Sequence, residues 1–392
     1  MQASYLVAHE PSVPAGGANV AASPAARAVR LPAYLPLLDG GRALSCLTVL
    51  LVHCTYSARF EPLNGKLVSV AMDFFFALSG FLIARILLEN KRLGVPLREF
   101  VVRRALRLMP AYYLTVLIVA VIWDPSGVAW WLGYVTNFQI LRAFTVGDMN
   151  LAQHAPIGHS WSLGVEEHFY VMMALVFLAL PLATIRRVLV WLAPLTAIAM
   201  IVLEQTIHSP LVGLWFYFFS PFRLCSFGLG ILWAVHEGWI AGARRSALRL
   251  GLGLALAGLA LTWRAPLSPA ALEAIGHSLL AGGLLLCVLT MDSASGLGAR
   301  VLGNPVLRYV GRISYGLYLY HLPIYFALGV AISWSMPAGT DMGVASPWKA
   351  VLAMVTVVVA ASASYRWFEA PILRRRTTVT RWLSRERPVT AS

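Results

Sequence analysis

Arg42 and His53 stand eleven positions apart in the first apolar stretch of the chain, GRALSCLTVLLVHC. On an α-helix, eleven residues turn through about 1100°, three full turns plus roughly 20°, so the two side chains share one face about 16 Å apart along the axis. In a hydrocarbon core about 30 Å thick, that spacing sets a guanidinium at the mouth and an imidazole deep inside. A guanidinium grips phosphate oxygens in a bidentate fork. A neutral imidazole takes the proton of an attacking hydroxyl. Ionisable groups at membrane depth are costly and mark functional sites. The structural reading of the same pair is an Arg reaching back to the interface and a His bonded to a neighbouring helix.

Further polar constellations sit inside or beside apolar runs. DFFFALSGF, residues 73–81, carries Asp73 at one end and Ser79 with Gly80 inside. Small residues of that kind also allow close helix packing. The basic stretch RILLENKRLGVPLREFVVRRALRLMP holds Arg103, Arg104 and Arg107. Arg103 and Arg107 are one helical turn apart and can grip a phosphate together, although a basic loop also sets membrane orientation. HSWSLGVEEHFY, residues 159–170, places His159 and Glu166 seven apart, on one face if the segment is helical, beside Glu167. SYGLYLYHLP, residues 314–323, puts Tyr318 and His321 on one face, and in YRWFEAP Arg366 and Glu369 can pair at i, i+3. Arg223, inside an apolar run, requires a counter-charge from Glu166, Asp73 or another carboxylate. There is no HExxH and no standard ligand spacing, so no metal site is expected.

The elements that must position these residues are membrane helices. Hydrophobic residues make up 59% of the 392 and charged residues 12%, with a mean hydropathy of +0.71. A soluble domain carries about 25% charge. The formal charge of +14 lies in short loops between apolar runs, which argues for membrane orientation and against nucleic acid. Cys46, Cys54, Cys225 and Cys287 all fall in apolar segments, as packing thiols rather than a disulfide framework. Apolar runs centre on 43–58, 67–88, 108–123, 128–141, 161–181, 188–203, 212–235, 248–262, 270–291, 314–334 and 348–368. The run at 128–141 is short and aromatic, as an interfacial or re-entrant segment would be. With it left uncrossed and the N-terminus cytoplasmic, 25 of the 31 Lys and Arg fall inside. The expected fold is therefore all-α and polytopic, with ten transmembrane helices and both termini cytoplasmic. Residues 1–36 are expected to form a disordered cytoplasmic tail without a secretory signal, 37–371 the membrane domain, and 372–392 a basic cytoplasmic tail. The 124–160 segment becomes a long external loop, partly inserted, opposite the Arg42 mouth.

Taken together, the segments resemble the membrane acyltransferase-3 family, O-acyltransferases that modify bacterial glycans and some natural products. DGGRALSCLTVLLVHC resembles its opening helix, DFFFALSGFLIARIL its second, and REFVVRRALRLMPAYYL its basic loop and third. HSWSLGVEEHFYV is similar to its WSLxVExxFY signature, and GRISYGLYLYHLPI and SYRWFEAPI to its C-terminal signatures. Any one is weak, but six in order are specific. Gly41 stands where the family more often has an apolar residue, with Arg42 in place. The resemblance implies an acyl-CoA co-substrate, usually acetyl-CoA, used from the cytoplasm, and no permanently bound cofactor. It implies an acceptor hydroxyl on a glycan, lipid-linked sugar or macrolide, often reached from the far side, and a multi-pass protein of the bacterial inner membrane. It marks Arg42 and His53 as the essential pair, with Arg103, Arg104, Arg107 and Glu166 in the active site. The chain is expected to be the form without a fused hydrolase-like domain.

The residues agree with that chemistry. Arg42 and the basic loop suit CoA phosphates, and a site further along the helix suits the thioester. His53 then acts as general base or as a covalent acyl carrier. No GxSxG elbow suggests a serine nucleophile. A transporter or flippase would share the charges and the helices, but its inverted repeats are not visible.

Overall fold

A computed structural model describes residues 31–32, 34–54, 61–123, 127–147, 156–263, 269–328 and 347–375. The expected tails before residue 31 and after 375, and positions 124–126 and 148–155 of the long loop, lie outside the described residues. The described elements are helical, with no strand among them. The long helices of the first half are α1 (Pro36–Cys54), α2 (Glu61–Arg92) and α3 (Leu97–Ile122). Two short helices follow, α4 (Val128–Leu132) and α5 (Thr136–Val146), then a 3-10 turn at Gly158–Ser160 leading into α6 (Trp161–Ala179). Next come α7 (Leu182–Leu189), α8 (Leu192–Thr206), α9 (Val212–Phe218), α10 (Ser220–Val235) and α11 (Glu237–Gly242). The chain continues through α12 (Arg244–Thr262), α13 (Ala270–Thr290), α14 (Gly296–Val301), α15 (Pro305–Ala327) and α16 (Pro347–Ser364), which runs into a π-helical turn at Tyr365–Glu369.

Eight stretches of helix among the described residues are long and apolar enough to cross a membrane, and α9 with α10, bent by 53° at their junction, makes up to nine. α15 is 23 residues long but carries Arg308, Arg312, five tyrosines and His321, and is not among them. α4 and α5 have 5 and 11 residues, too short to cross, as the aromatic run suggested. They are tucked among the longer helices. Tyr112 of α3 donates to the Trp131 carbonyl at 2.7 Å, and the Tyr112 and Tyr134 rings stack at 4.0 Å. Tyr134 takes a positive φ of 56°, unusual for a bulky residue, where its carbonyl abuts Gly164 of α6. A Cβ at Gly164 would collide with that oxygen.

Small residues set how closely the helices approach, because apolar burial gives little drive between helices already in lipid. Gly230 of α10 lies against the backbone of Ala77 in α2, and Gly258 of α12 against Leu280 of α13. Polar groups fix the ends. The Glu204 carboxylate accepts from the N–H groups of Ala270 (2.5 Å) and Ala271 (3.0 Å), satisfying orphan donors at the start of α13. Arg85 of α2 pairs with Glu237 at 2.9 Å, and the same carboxylate accepts from the Leu31 N–H. All four cysteines are buried thiols.

α1 and α15 run parallel in a simple register. Cys46 Sγ meets the Ser314 carbonyl at 3.6 Å and His53 meets His321, both pairs 268 positions apart. Their long arms bring the Arg42 end of the bundle and the His53 end into one frame. α2, α6 and α10 share the opposite direction, since Ser79 meets Glu166, Phe76 meets Trp161 and Asp73 meets Arg223.

Candidate active site

His53 occupies the last turn of α1 and is half-buried. Its Nδ1 lies 2.9 Å from Nε2 of His321, and the two rings are nearly coplanar, edge to edge, with centroids 5.2 Å apart and an interplanar angle of 8°. His321 is fully buried, and its Nδ1 lies 2.6 Å from the Tyr318 carbonyl. A carbonyl only accepts, so His321 Nδ1 carries a proton and donates it. In a neutral His321 ring, Nε2 is then the acceptor, and His53 Nδ1 must be the donor. The lone pair of His53 therefore sits on Nε2. This is the tautomer a general base requires, fixed by a second imidazole in the way an orienting group fixes the base of a catalytic triad. A proton gained at His53 Nε2 makes an imidazolium whose Nδ1–H points at His321, so the new charge is stabilised by an existing hydrogen bond.

A third histidine completes the cluster. His159, in the 3-10 turn before α6, is buried, and among the described residues neither of its ring nitrogens has a hydrogen-bond partner. Its ring packs edge-on against His321 at 4.7 Å and Tyr318 at 5.2 Å. Tyr318 Oη donates to the His159 carbonyl at 3.0 Å and lies 2.6 Å from Ser162 Oγ. Tyr318 and His321 do share a face, with ring centroids at 5.4 Å. His159 and Glu166, expected on one face, do not meet. The 3-10 turn interrupts the spacing, sending His159 to the histidine cluster and Glu166 toward α2 and α3.

Glu166 is the centre of a second constellation. Its Oε1 accepts from Ser79 of α2, from Tyr170 one turn on, and from Arg104 Nη2 at 3.0 Å. The Arg104 guanidinium stacks on the Tyr170 ring at 3.6 Å. Ser79 is thus a ligand of the carboxylate as well as a small packing residue. Arg107 and Arg42 both lie near enough to Arg104 to repel it. The basic group facing inward is therefore Arg42, Arg104 and Arg107. Arg103, expected to grip with Arg107, instead pairs with Glu99 at 2.6 Å on the more open side of α3. Arg42 is 3.5 Å from Asp39 one turn below, and Tyr34 Oη also donates to Asp39 at 2.7 Å.

Glu369 is buried near Arg107, accepts from Ser364 Oγ at 3.0 Å, and does not pair with Arg366, which is exposed. The π-helical turn at 365–369 has more residues per turn than an α-helix, so i, i+3 residues are not aligned. Arg223 finds its counter-charge in Asp73, at 3.1 Å, with Ser226 Oγ donating to the same carboxylate at 2.7 Å. Glu166 plays no part there.

Sequence reasoning missed the partners that hold these groups: Tyr170 under Arg104, Ser162 on Tyr318, Asp39 beside Arg42, and Ser226 on Asp73. Tyr170 lies four residues after Glu166, a helical neighbour the spacing already marked. Asp39, three residues before Arg42, is such a neighbour too, whereas Ser162 and Ser226 come from distant segments and leave no local signal.

The described helices thus set an oriented histidine toward one end of α1 and arginines toward the other, within a bundle whose long apolar helices suit a membrane. A family model describing an acyltransferase domain matches residues 35–366, and the chain belongs to that family. It is 26% identical over 365 residues to the peptidoglycan O-acetyltransferase OatA of Listeria monocytogenes, covering 86% of this chain and 56% of that protein. It is 28% identical over 371 residues to the putative peptidoglycan O-acetyltransferase YrhL of Bacillus subtilis, covering 86% and 55%. A putative O-acetyltransferase of Staphylococcus aureus is 23% identical over 378 residues, covering 90% and 59%. The chain spans somewhat over half the length of these curated relatives. No solved structure matches it.

Proposed function

We propose that the protein is a membrane O-acyltransferase that moves an acyl group, most simply acetyl, from cytoplasmic acyl-CoA to a hydroxyl of a glycan or glycan precursor across the bacterial inner membrane. The observation that carries this reading is the His53–His321 hydrogen bond, which leaves the lone pair on His53 Nε2. Ten spans follow when α9–α10 is counted as one broken span and α15, walled by α1 and α16, as another. Both termini are then cytoplasmic, and the basic residues divide 25 to 5 between the two sides, with Arg223 inside a span.

CoA carries its phosphates at one end and its thioester at the other. Arg42, Arg104 and Arg107 hold the phosphate end, with Arg103 at the rim, and the thioester reaches along α1 toward His53. The acceptor hydroxyl gives its proton to His53 Nε2 as its oxygen attacks the thioester carbonyl. The C–S bond then breaks, and the proton passes to the departing CoA thiolate. His321 holds His53 in the productive tautomer throughout. The relatives named for peptidoglycan support a carbohydrate acceptor. The test is the full-length protein in lipid nanodiscs with acetyl-CoA and a glycan acceptor. CoA thiol release matched by acetyl ester on the glycan, by mass spectrometry, is expected. Movement of solute without ester formation would sink the reading and favour a transporter.

A further inference from the structure

The guanidinium of Arg223 has two edges, and only one is used. Nη1 donates to the Asp73 carboxylate, at 3.1 Å to Oδ1 and 3.4 Å to Oδ2. Nε and Nη2, which carry the N–H groups of the side-on edge, are buried and have no hydrogen-bond partner among the described residues. The side chain is 3% exposed and its partner carboxylate is fully buried. A buried N–H without a partner is rare in a native structure and calls for an occupant. Two adjacent ones on a rigid plane form a ready bidentate donor.

The surroundings say what fits. The guanidinium sits over Tyr217 at 4.5 Å, Phe76 at 5.6 Å and Trp161 at 5.7 Å. Tyr217 and Phe218 are half-buried at the 53° break between α9 and α10, so the box lies beside the turn of the backbone. Trp161 is two residues from His159, whose ring packs on His321, which in turn bonds His53. The aromatic box and the reacting imidazole thus share one wall. Charge selects the ligand class. Asp73 already balances Arg223, and a carboxylate on the open edge would leave an uncompensated charge in a buried site. A neutral ligand with two neighbouring oxygens, and an apolar face to lie on the rings, satisfies every group.

We propose that the Nε–H and Nη2–H edge of Arg223, with Trp161, Tyr217 and Phe76, is the acceptor subsite, and that it takes an uncharged sugar through vicinal hydroxyls or an amide carbonyl beside a hydroxyl. This deepens the acyl-transfer reading and rests on it. The experiment uses full-length protein in nanodiscs, a neutral oligomer of N-acetylglucosamine and, for contrast, an oligomer of galacturonate. Arg223→Lys keeps the charge opposite Asp73 but replaces the fork with a point donor. The double variant Arg223→Gln with Asp73→Asn removes both charges together and serves if the lysine variant fails to fold. Expected is a 10- to 100-fold rise, on the order of one or two lost hydrogen bonds to a charged group, in both the Kd and the KM for the neutral oligomer, with the KM for acetyl-CoA within about twofold. A folded variant with unchanged sugar Kd would overturn the proposal, leaving the fork to water. Binding of galacturonate in preference to the neutral oligomer would overturn it too. Wild-type protein that binds sugar through Arg223 but never releases CoA would sink the acyl-transfer reading and leave the subsite standing.

Discussion

Replacing His321 separates an oriented base from a merely buried imidazole. His321→Ala removes the acceptor of His53 Nδ1–H, a 2.9 Å bond. Without it the His53 ring is free to hold its proton on Nε2, the nitrogen that must be bare, and the imidazolium formed in the reaction loses its partner. A hydrogen bond to a charged group contributes about 1.5–3 kcal/mol, which is a factor of roughly 10 to 150 in rate if it is realised in the transition state. Loss of the neighbouring ring adds orientational freedom, so kcat should fall by about 10²–10³-fold. The acetyl-CoA KM should be little changed, because the arginines lie toward the other end of α1. His321→Gln offers an amide oxygen to the same N–H and should recover at least tenfold of the loss, although it cannot share the charge. The assay is steady-state acetyl transfer by purified protein, with thermal unfolding to confirm that each variant is folded. A folded His321→Ala protein at wild-type kcat, or a glutamine variant no better than alanine, would refute the tautomer argument.

Arg42→Ala should raise the acetyl-CoA KM by about tenfold without unfolding the protein, since Asp39 keeps the Tyr34 hydroxyl, and Arg42→Lys should recover only part; an unchanged KM removes Arg42 from the donor site. Glu166→Ala strands Arg104 in a mostly buried place and should lower stability by about 3 kcal/mol, while adding Arg104→Ala should restore part of it, read from thermal melts as a double-mutant cycle; strictly additive losses would deny the coupling. A reporter fused at Gly147 should be external and one at Arg244 cytoplasmic, and finding both on one side contradicts the ten-span topology.

The local half of this structure was legible in the sequence. The eleven-residue spacing of Arg42 and His53 follows from helical periodicity, and short, aromatic 128–141 does form helices too short to cross. Even the α1–α15 register was latent, since Cys46 and His53 are seven apart, as are Ser314 and His321. Nothing local, however, says that those two helices are neighbours. That Arg104 and not Arg103 turns inward depends on the rotation of α3 against α6, which packing decides. The Arg223 partner lies 150 positions away, and the choice of Asp73 over Glu166 was set by level along the bundle, since Glu166 lies opposite Ser79, nearly two turns on from Asp73. Two expectations failed because the backbone left the α-helical period, in the 3-10 turn at His159 and the π-helical turn before Glu369.

The most direct test is His53→Ala in the full-length protein, assayed for transfer of acetyl from acetyl-CoA to a glycan hydroxyl. The variant should insert and fold, because removing one polar group does not make a span harder to insert. Transfer should fall by about 10²–10⁴-fold, the range expected of a positioned base. An acyl-histidine trapped on wild-type His53 would change its role from base to carrier and keep the site. A folded His53→Ala protein that transfers acetyl at the wild-type rate would contradict the account, leaving His53 as a residue that only joins α1 to α15.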